Sequence, residues 1–402
     1  MAESESTAQT DASVPSAESA AESSGLALRT DVPPPPPMGV KSEKPPKNAA
    51  ADEMPSSQEL ADKTALLLID IGEPESAGET KDFLRRVFAD HRVFDSPLGS
   101  FGRGLFRRLL RPGAESRMNK ALAMNAGAAE TTGSRLQNFA ETLCASLNAE
   151  DGLPRFEPFT AFLFGAPKTS IPGVLENIRS QGFTQITALW CRPFTTILAR
   201  SAQEILLAEA GTHPDTPPAV FIDNWLKAEN AAEALGSVMQ DALNLLPEPR
   251  RSTALILLTL RALPVDAKRD PAGDDARSLA TQALQRAGLT NRCKVVYLDS
   301  MEPLAPLWPN YEELLDRLGK DKAPLVSIPL TGLVEDLSFR SEFGEPVKAL
   351  AAKRGFENCV FAPLPFGRDD FVRILKEAVL EQLRRSVEFR EASVFVSKSA
   401  SV

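Results

Sequence analysis

Histidine is almost missing from this sequence. His91 and His213 are the only two in 402 residues, which excludes a His-rich metal site of the usual kind. Cysteine is also scarce. Cys144, Cys191, Cys293 and Cys359 are scattered and form no CxxC pair. That excludes a disulfide framework and a thiolate zinc site, and suits reduced thiols in a cytoplasm-like compartment. No stretch reaches the roughly 18 consecutive apolar residues of a membrane span. The acidic N-terminal region lacks the basic-then-apolar pattern of a secretory signal. A cytoplasmic location is the resulting expectation. There is no excess of positive charge either. The formal charge is −9, and residues 1–60 hold ten acidic and four basic residues, leaving about −3 for the rest. Nothing here favours binding to nucleic acid. Neither GxGxxG nor GxxxxGK occurs, so no dinucleotide or nucleoside triphosphate site is expected.

Residues 1–60 contain no Phe, Trp or Tyr, and include five prolines in a row at 33–37. Such a segment buries too little apolar area to offset its ordering entropy, so it reads as a disordered acidic tail with local polyproline II character. It is either passive or a docking site for a partner. Residues 386–402 read as a frayed extension.

Between the tails the pattern alternates. Short apolar runs at 65–71, 159–164, 186–191, 254–260, 294–298, 325–330 and 360–363 have the look of strands buried on both faces. Helical periodicity fills the intervals, and in the last helix (369–383) Phe371, Ile374, Leu375, Val379 and Leu383 share a face. Strands alternating with helices indicate parallel sheets with helical crossovers. The expected organisation is an N-terminal α/β domain (61–215), a C-terminal α/β domain (216–368) and a final helix (369–385). Ligands of open α/β sheets sit at the carboxyl ends of the strands. The loops at 72–76, 165–168, 192–196, 259–264, 299–303 and 331–336 are therefore where a site is expected.

These segments, taken in order, resemble the ferrochelatase family. ALLLIDIGEPES (65–76) and FLRRVFADHRVFDSP (83–97) resemble the family's apolar strand, LGxP-type turn and FL-bearing helix. AMNAGAAETTGSRLQNFAETL (123–143) falls at the GGGSP loop and T-x-x-Q helix. Gly127, Ser134 and Gln137 keep the frame, and Ala128-Ala129 replaces Ser-Pro. WCRPFTTILARS (190–201), with Pro193 and Ser201 in register, LTLRALP (258–264), YLDSMEPLAPLWP (297–309) and residues 327–351 continue the series. The resemblance implies an α/β fold of two Rossmann-like parallel-sheet domains, chelatase-like and facing across a porphyrin cleft. It implies that the last helix packs back on the first domain. The implied activity is insertion of Fe²⁺ into a porphyrin in haem biosynthesis, with both as substrates and no permanently bound cofactor.

That chemistry needs a proton acceptor for two pyrrole N–H groups and a wall that holds the ring bent. By resemblance, the family's catalytic histidine falls at Arg261, its glutamate at Ser338, an aspartate at Gly344 and an arginine at Ser300. Guanidinium stays protonated and has no acceptor atom, so Arg261 cannot be a general base. It reads either as a structural arginine or as a partner for a porphyrin propionate. Glu342 keeps its family match, and Asp336 sits where the family usually has the histidine next to its acidic residue, so by resemblance both are candidate catalytic residues. Glu335 and Asp336 read either as charges at a helix start or as a metal-approach pair. Glu73, Pro193 and Arg261 are candidates for the porphyrin cleft. Residues 101–112 put Arg103, Arg107 and Arg111 at four-residue steps, which is either a solvated helix face or a peripheral contact with anionic lipid. His91 and His213 read as surface or turn residues. Three functions remain open: a divergent ferrochelatase, a binder of tetrapyrrole or metal that does not insert, and a scaffold acting through its tail.

Overall fold

The structure, a computed structural model, describes residues 63–90, 99–261, 271–298, 311–318 and 323–399. For 99–110, Pro271 and 386–399 it describes the backbone alone. The expected 1–60 tail, His91 and Ser300 lie outside the described residues, as do most side chains of the basic 101–112 stretch.

The first half runs β1 (Lys63–Asp70), α1 (Ala77–Ala89), α2 (Gly99–Met124), α3 (Thr132–Asn148), β2 (Arg155–Phe162), α4 (Ile171–Ser180), β3 (Gln185–Trp190), α5 (Ile197–Thr212) and β4 (Ala219–Ile222). The second runs α6 (Ala231–Asn244), α7 (Glu248–Arg251), β5 (Leu255–Arg261), α8 (Pro271–Arg286), β6 (Cys293–Leu298), α9 (Tyr311–Leu318), β7 (Leu325–Pro329), α10 (Leu337–Glu342), α11 (Glu345–Lys353), β8 (Cys359–Phe361) and α12 (Asp369–Ser399). The strands form two four-stranded sheets, ordered β2-β1-β3-β4 and β6-β5-β7-β8, with every pairing parallel. Each half therefore has the same order: its second strand outside its first, then its third and fourth. This is the α/β fold of two parallel sheets that the alternating pattern calls for.

Central strands explain the near-continuous apolar runs. Along β1 every residue after Lys63 is buried, and β7 is buried throughout. A strand covered by helices on both faces gains from apolar side chains at every position, at roughly 1.5–3 kcal/mol per fully buried large side chain. Leu66 and Leu68 look into a core shared with α3, α6 and α12, while Ala65, Leu67 and Ile69 look toward α1, α4 and α5. Phe371, Ile374, Leu375 and Val379 of α12 enter the first of these cores.

Three boundaries differ from the pattern. Ala219–Ile222 adds a fourth strand to the first sheet beyond the turn-rich stretch, pairing with β3. Its four residues after Pro217-Pro218 carry too little periodicity to stand out. Helix α2 continues through Pro112 to Met124; Ala114 and Met118 beyond the proline are buried, and a proline tolerates helical φ. Helix α12 continues past Arg385 to Ser399, a stretch with no Gly or Pro to stop it.

Candidate functional site

The carboxyl ends of β1, β3, β5 and β7 meet in a buried chain of alternating charges. Asp70 ends β1, Arg192 follows β3, Arg261 ends β5, and Asp336 caps α10 after β7. Arg192 is the link between the two sheets. Its Nε donates to Asp70 Oδ1 at 2.9 Å and its Nη2 to Asp336 Oδ2 at 2.9 Å. Its Nη1 donates to the Thr331 carbonyl at 2.6 Å. The Arg192 side chain is only 7% exposed. Burial disfavours its charge, but Asp70 and Asp336 more than offset that and hold the guanidinium protonated. The Leu333 N–H donates to the Cys191 carbonyl beside it, tying the same two loops through their backbones.

Asp336 is fully committed within this chain. Its Oδ1 accepts the Phe339 N–H at 2.7 Å, which caps α10, and Arg261 Nη1 lies 3.4 Å from both carboxylate oxygens. Burial pushes this carboxyl up, but Arg261, Arg192 and the Phe339 N–H outweigh it and hold it down at about 2. Arg261 Nη2 donates to Ser338 Oγ at 2.6 Å. The two residues that resemblance puts at the family's histidine and glutamate positions therefore touch, and a guanidinium–hydroxyl contact contains no proton acceptor of useful basicity.

A second cluster lies beside the first. Gly72 turns the chain after β1 with φ of +89°, and a Cβ there would stand 2.8 Å from Phe162 Cβ. Only glycine takes that turn without strain. It delivers Glu73 between the two halves. Glu73 Oε1 accepts from Thr132 Oγ1 at 2.5 Å, and Oε2 accepts the Leu337 N–H at 2.5 Å. Arg340 Nη2 reaches Oε1 at 3.4 Å. Burial, reinforced by the nearby Asp336 charge, pushes the Glu73 carboxyl up to about 6 against these donors. Arg340 also donates to the Glu335 carbonyl at 2.6 Å, and the Glu335 carboxylate pairs with Arg135 at 3.1 Å.

Glu73 and Arg340 line a cavity of about 500 Å³. Its walls are the turn after β1, the last turns of α2, the segment opening α3, Phe162 and two residues of α10. The size is within the range of small-molecule sites. Three carboxylates (Glu73, Glu75 and Glu130), the Arg340 guanidinium and polar groups from Asn119, Asn125, Thr131 and Thr132 share the lining with apolar surface from Leu122, Phe162 and Leu337.

Of the expected site residues, Glu73 alone lines this cavity. Arg261, Asp336 and Glu335 stand behind it in the ion-pair chain and its neighbour. Pro193 is buried next to Arg192, and Glu342 is the partly buried last residue of α10; neither lines the cavity. Among the described residues no group of three or more His, Cys, Asp or Glu is arranged to hold a metal. His213 caps the end of α5 and lies 3.7 Å from Glu209. Sequence reasoning missed Asp70, Arg192, Thr132 and Arg340. Opposite charges at the carboxyl ends of two strands, Asp70 and Arg192, were the available signal.

The family model for ferrochelatase matches residues 63–383. Ferrochelatase-2, chloroplastic, of Oryza sativa subsp. indica is 24% identical over 347 residues, covering 80% of this chain and 62% of that protein. The chain thus spans less than two thirds of that relative's length. Ferrochelatase, mitochondrial, of Xenopus laevis is 23% identical over 342 residues, covering 81% of this chain and 79% of that protein. Among solved structures, SirB from Bacillus subtilis with Fe³⁺ superposes with a TM-score of 0.47 at 16% identity, covering 82% of this chain and 98% of that one. The expected cytoplasmic location is overturned by the relatives, which are named as chloroplastic or mitochondrial proteins. Its grounds were reduced cysteines and a missing secretory signal, and neither separates a cytoplasm from an organelle interior. Among the described residues no helix is long and apolar enough to cross a membrane.

Proposed function

This chain belongs to the ferrochelatase family, and from that premise we propose that it binds a tetrapyrrole in the cavity beside Glu73 without inserting metal by the family's usual route. One observation carries the reading: Arg261 donates to Ser338 Oγ at 2.6 Å while ion-paired to Asp336. Those are the positions where resemblance puts the histidine and glutamate that take up pyrrole protons. A guanidinium has no lone pair to accept one. It also repels an approaching Fe²⁺. Asp336 is no substitute, because a carboxyl held at about 2 is too weak a base and both its oxygens are occupied. The same commitments leave it a poor metal ligand. Glu335 is engaged by Arg135, and Glu342 is set apart from the cavity.

The cavity itself suits a flat, largely apolar ring with polar edges. Leu122, Phe162 and Leu337 supply apolar surface, and the amides and hydroxyls of the rim supply hydrogen bonds. We place the protein's action in an organelle of the kind its relatives' names give.

The test is spectroscopic. The full chain is mixed with protoporphyrin, then with Fe²⁺ or Zn²⁺, and the visible spectrum is followed. The expected result is a Soret shift that saturates with protein, with metalloporphyrin forming no faster than in buffer. Metal insertion well above the spontaneous rate refutes the non-inserting reading. A spectrum unchanged by the protein refutes tetrapyrrole binding altogether.

A further inference from the structure

We propose that Glu73 is the specificity-determining residue of the cavity: its carboxylate accepts a hydrogen bond from a pyrrole N–H and so favours the metal-free ring over a metal-filled one. This deepens the proposed function and rests on a tetrapyrrole occupying the cavity. By resemblance the family carries small or aromatic residues in this turn, so the carboxylate is a feature of this chain.

Three observations converge on Glu73. The first is position. The Gly72 turn holds the side chain at the cavity wall, 16% exposed, between the start of α3 and the start of α10. Thr132 Oγ1 and the Leu337 N–H fix its two oxygens at 2.5 Å each, from opposite halves of the fold. The second is unused capacity. A carboxylate offers about four acceptor sites on two oxygens. Two close donors and the long 3.4 Å approach of Arg340 leave room on Oε2 for one more.

The third is the rest of the lining. Among the described residues it includes no His, Cys, Met or Tyr, so no imidazole, thiolate, thioether or phenolate faces a metal centre from these walls; its other acidic side chains are Glu75 and Glu130. A metal-free ring brings N–H donors, which Glu73 can accept. A metal-filled ring has given up both of those protons. It offers no donor to the remaining acceptor site on Glu73 Oε2, so the extra hydrogen bond is not made.

The acceptor exists only when Glu73 is ionised, and its carboxyl loses its proton near 6. Several charged groups face it. Asp336 and Arg340 stand on α10 and its cap, and Glu335 lies just before them. Glu130 and Arg135 flank the start of α3, and Glu75 is on its own turn. The α2 residues at the cavity, among them Asn119 and Leu122, are uncharged. Asp336, held at about 2, does not titrate near neutrality. A group with a midpoint near 6 goes from about one-tenth to about nine-tenths ionised between about pH 5 and pH 7, so affinity for the N–H ring should rise about tenfold over that interval.

The experiment titrates the full chain with protoporphyrin and, separately, with its zinc complex across that pH range, using wild type and Glu73→Gln. The expected result is a preference of about tenfold or more for the metal-free ring near pH 7. The preference shrinks toward pH 5 and is lost in Glu73→Gln. Glutamine keeps the acceptor oxygen for Leu337 but not the charge, and circular dichroism checks that it folds. If it does not fold, the wild-type comparison of the two rings across pH decides alone. Equal affinity for both rings near pH 7, a preference for the zinc complex, or a preference that survives Glu73→Gln overturns the assignment while leaving tetrapyrrole binding in place. Binding of neither ring overturns the underlying reading as well.

Discussion

Arg192→Met removes a side chain that ion-pairs to loops of both sheets and leaves two buried aspartates without it. Asp70 is 3% exposed and Asp336 is 11% exposed. Removing one partner of a buried pair costs about 3–5 kcal/mol, because the remaining charge stays desolvated. Asp336 keeps Arg261 at 3.4 Å and the Phe339 N–H, so most of the loss falls on Asp70, which retains the Ile71 N–H at 2.7 Å. The Thr331 carbonyl loses a donor as well. A total of about 3–5 kcal/mol at neutral pH is expected, out of the ~5–15 kcal/mol typical of a folded protein. The pH dependence identifies the cause. In the wild type, Asp336 has a folded pKa below its unfolded one, so its contribution is fully present above about 4 and is lost as pH falls through about 2. In the variant, burial acts on Asp336 with less opposition, and protonation relieves its unpaired charge, so the deficit should shrink between about pH 7 and pH 4.5. Urea unfolding followed by circular dichroism at the two pH values measures both quantities. A deficit under about 1 kcal/mol at pH 7, or one that does not shrink on acidification, refutes the assignment of Arg192 as the electrostatic link. Adding Asp70→Asn to Arg192→Met should recover part of the loss, which a simple packing defect would not.

Three further predictions concern neighbouring residues. Glu73 has a folded pKa above its unfolded one, so it removes about 2 kcal/mol of stability as pH rises from about 4.5 through 6; Glu73→Gln should gain stability relative to wild type over that interval, read from urea midpoints. Arg261→His combined with Ser338→Glu puts a proton-accepting pair where the guanidinium–hydroxyl contact now stands, and zinc insertion into protoporphyrin should rise above the wild-type level. No gain in a correctly folded double variant counts against these two positions being the family's histidine and glutamate. Gly72→Ala forces a Cβ toward Phe162 at a φ of +89°, which should cost at least about 1 kcal/mol and weaken porphyrin binding by displacing Glu73. Thermal melts and Soret titration check the two effects.

Much of this is legible in the sequence. The run ALLLIDI could be read as a strand covered on both faces because apolar residues at every position fit nothing else so short, and all but the first residue of β1 are buried. The order of the loops pointed to the family, and resemblance put at 261 a guanidinium, a residue type with no base to offer. Other features were not legible, because they depend on groups brought together from distant parts of the chain. Asp70, Arg192 and Asp336 are 122 and 144 residues apart in their pairings, and each alone is an ordinary charge at a strand end.

Residue types and their order determined the alternating parallel-sheet architecture and the family. The tertiary structure decided how the charged groups at the strand ends behave. Burial and partner choice made two neighbouring carboxyls opposite in behaviour: Asp336, between two guanidiniums, is held at about 2, and Glu73, desolvated on a cavity wall, is raised to about 6. Sequence cannot distinguish them, because a carboxyl group's acidity depends on its surroundings, and those exist only once the two halves have folded together.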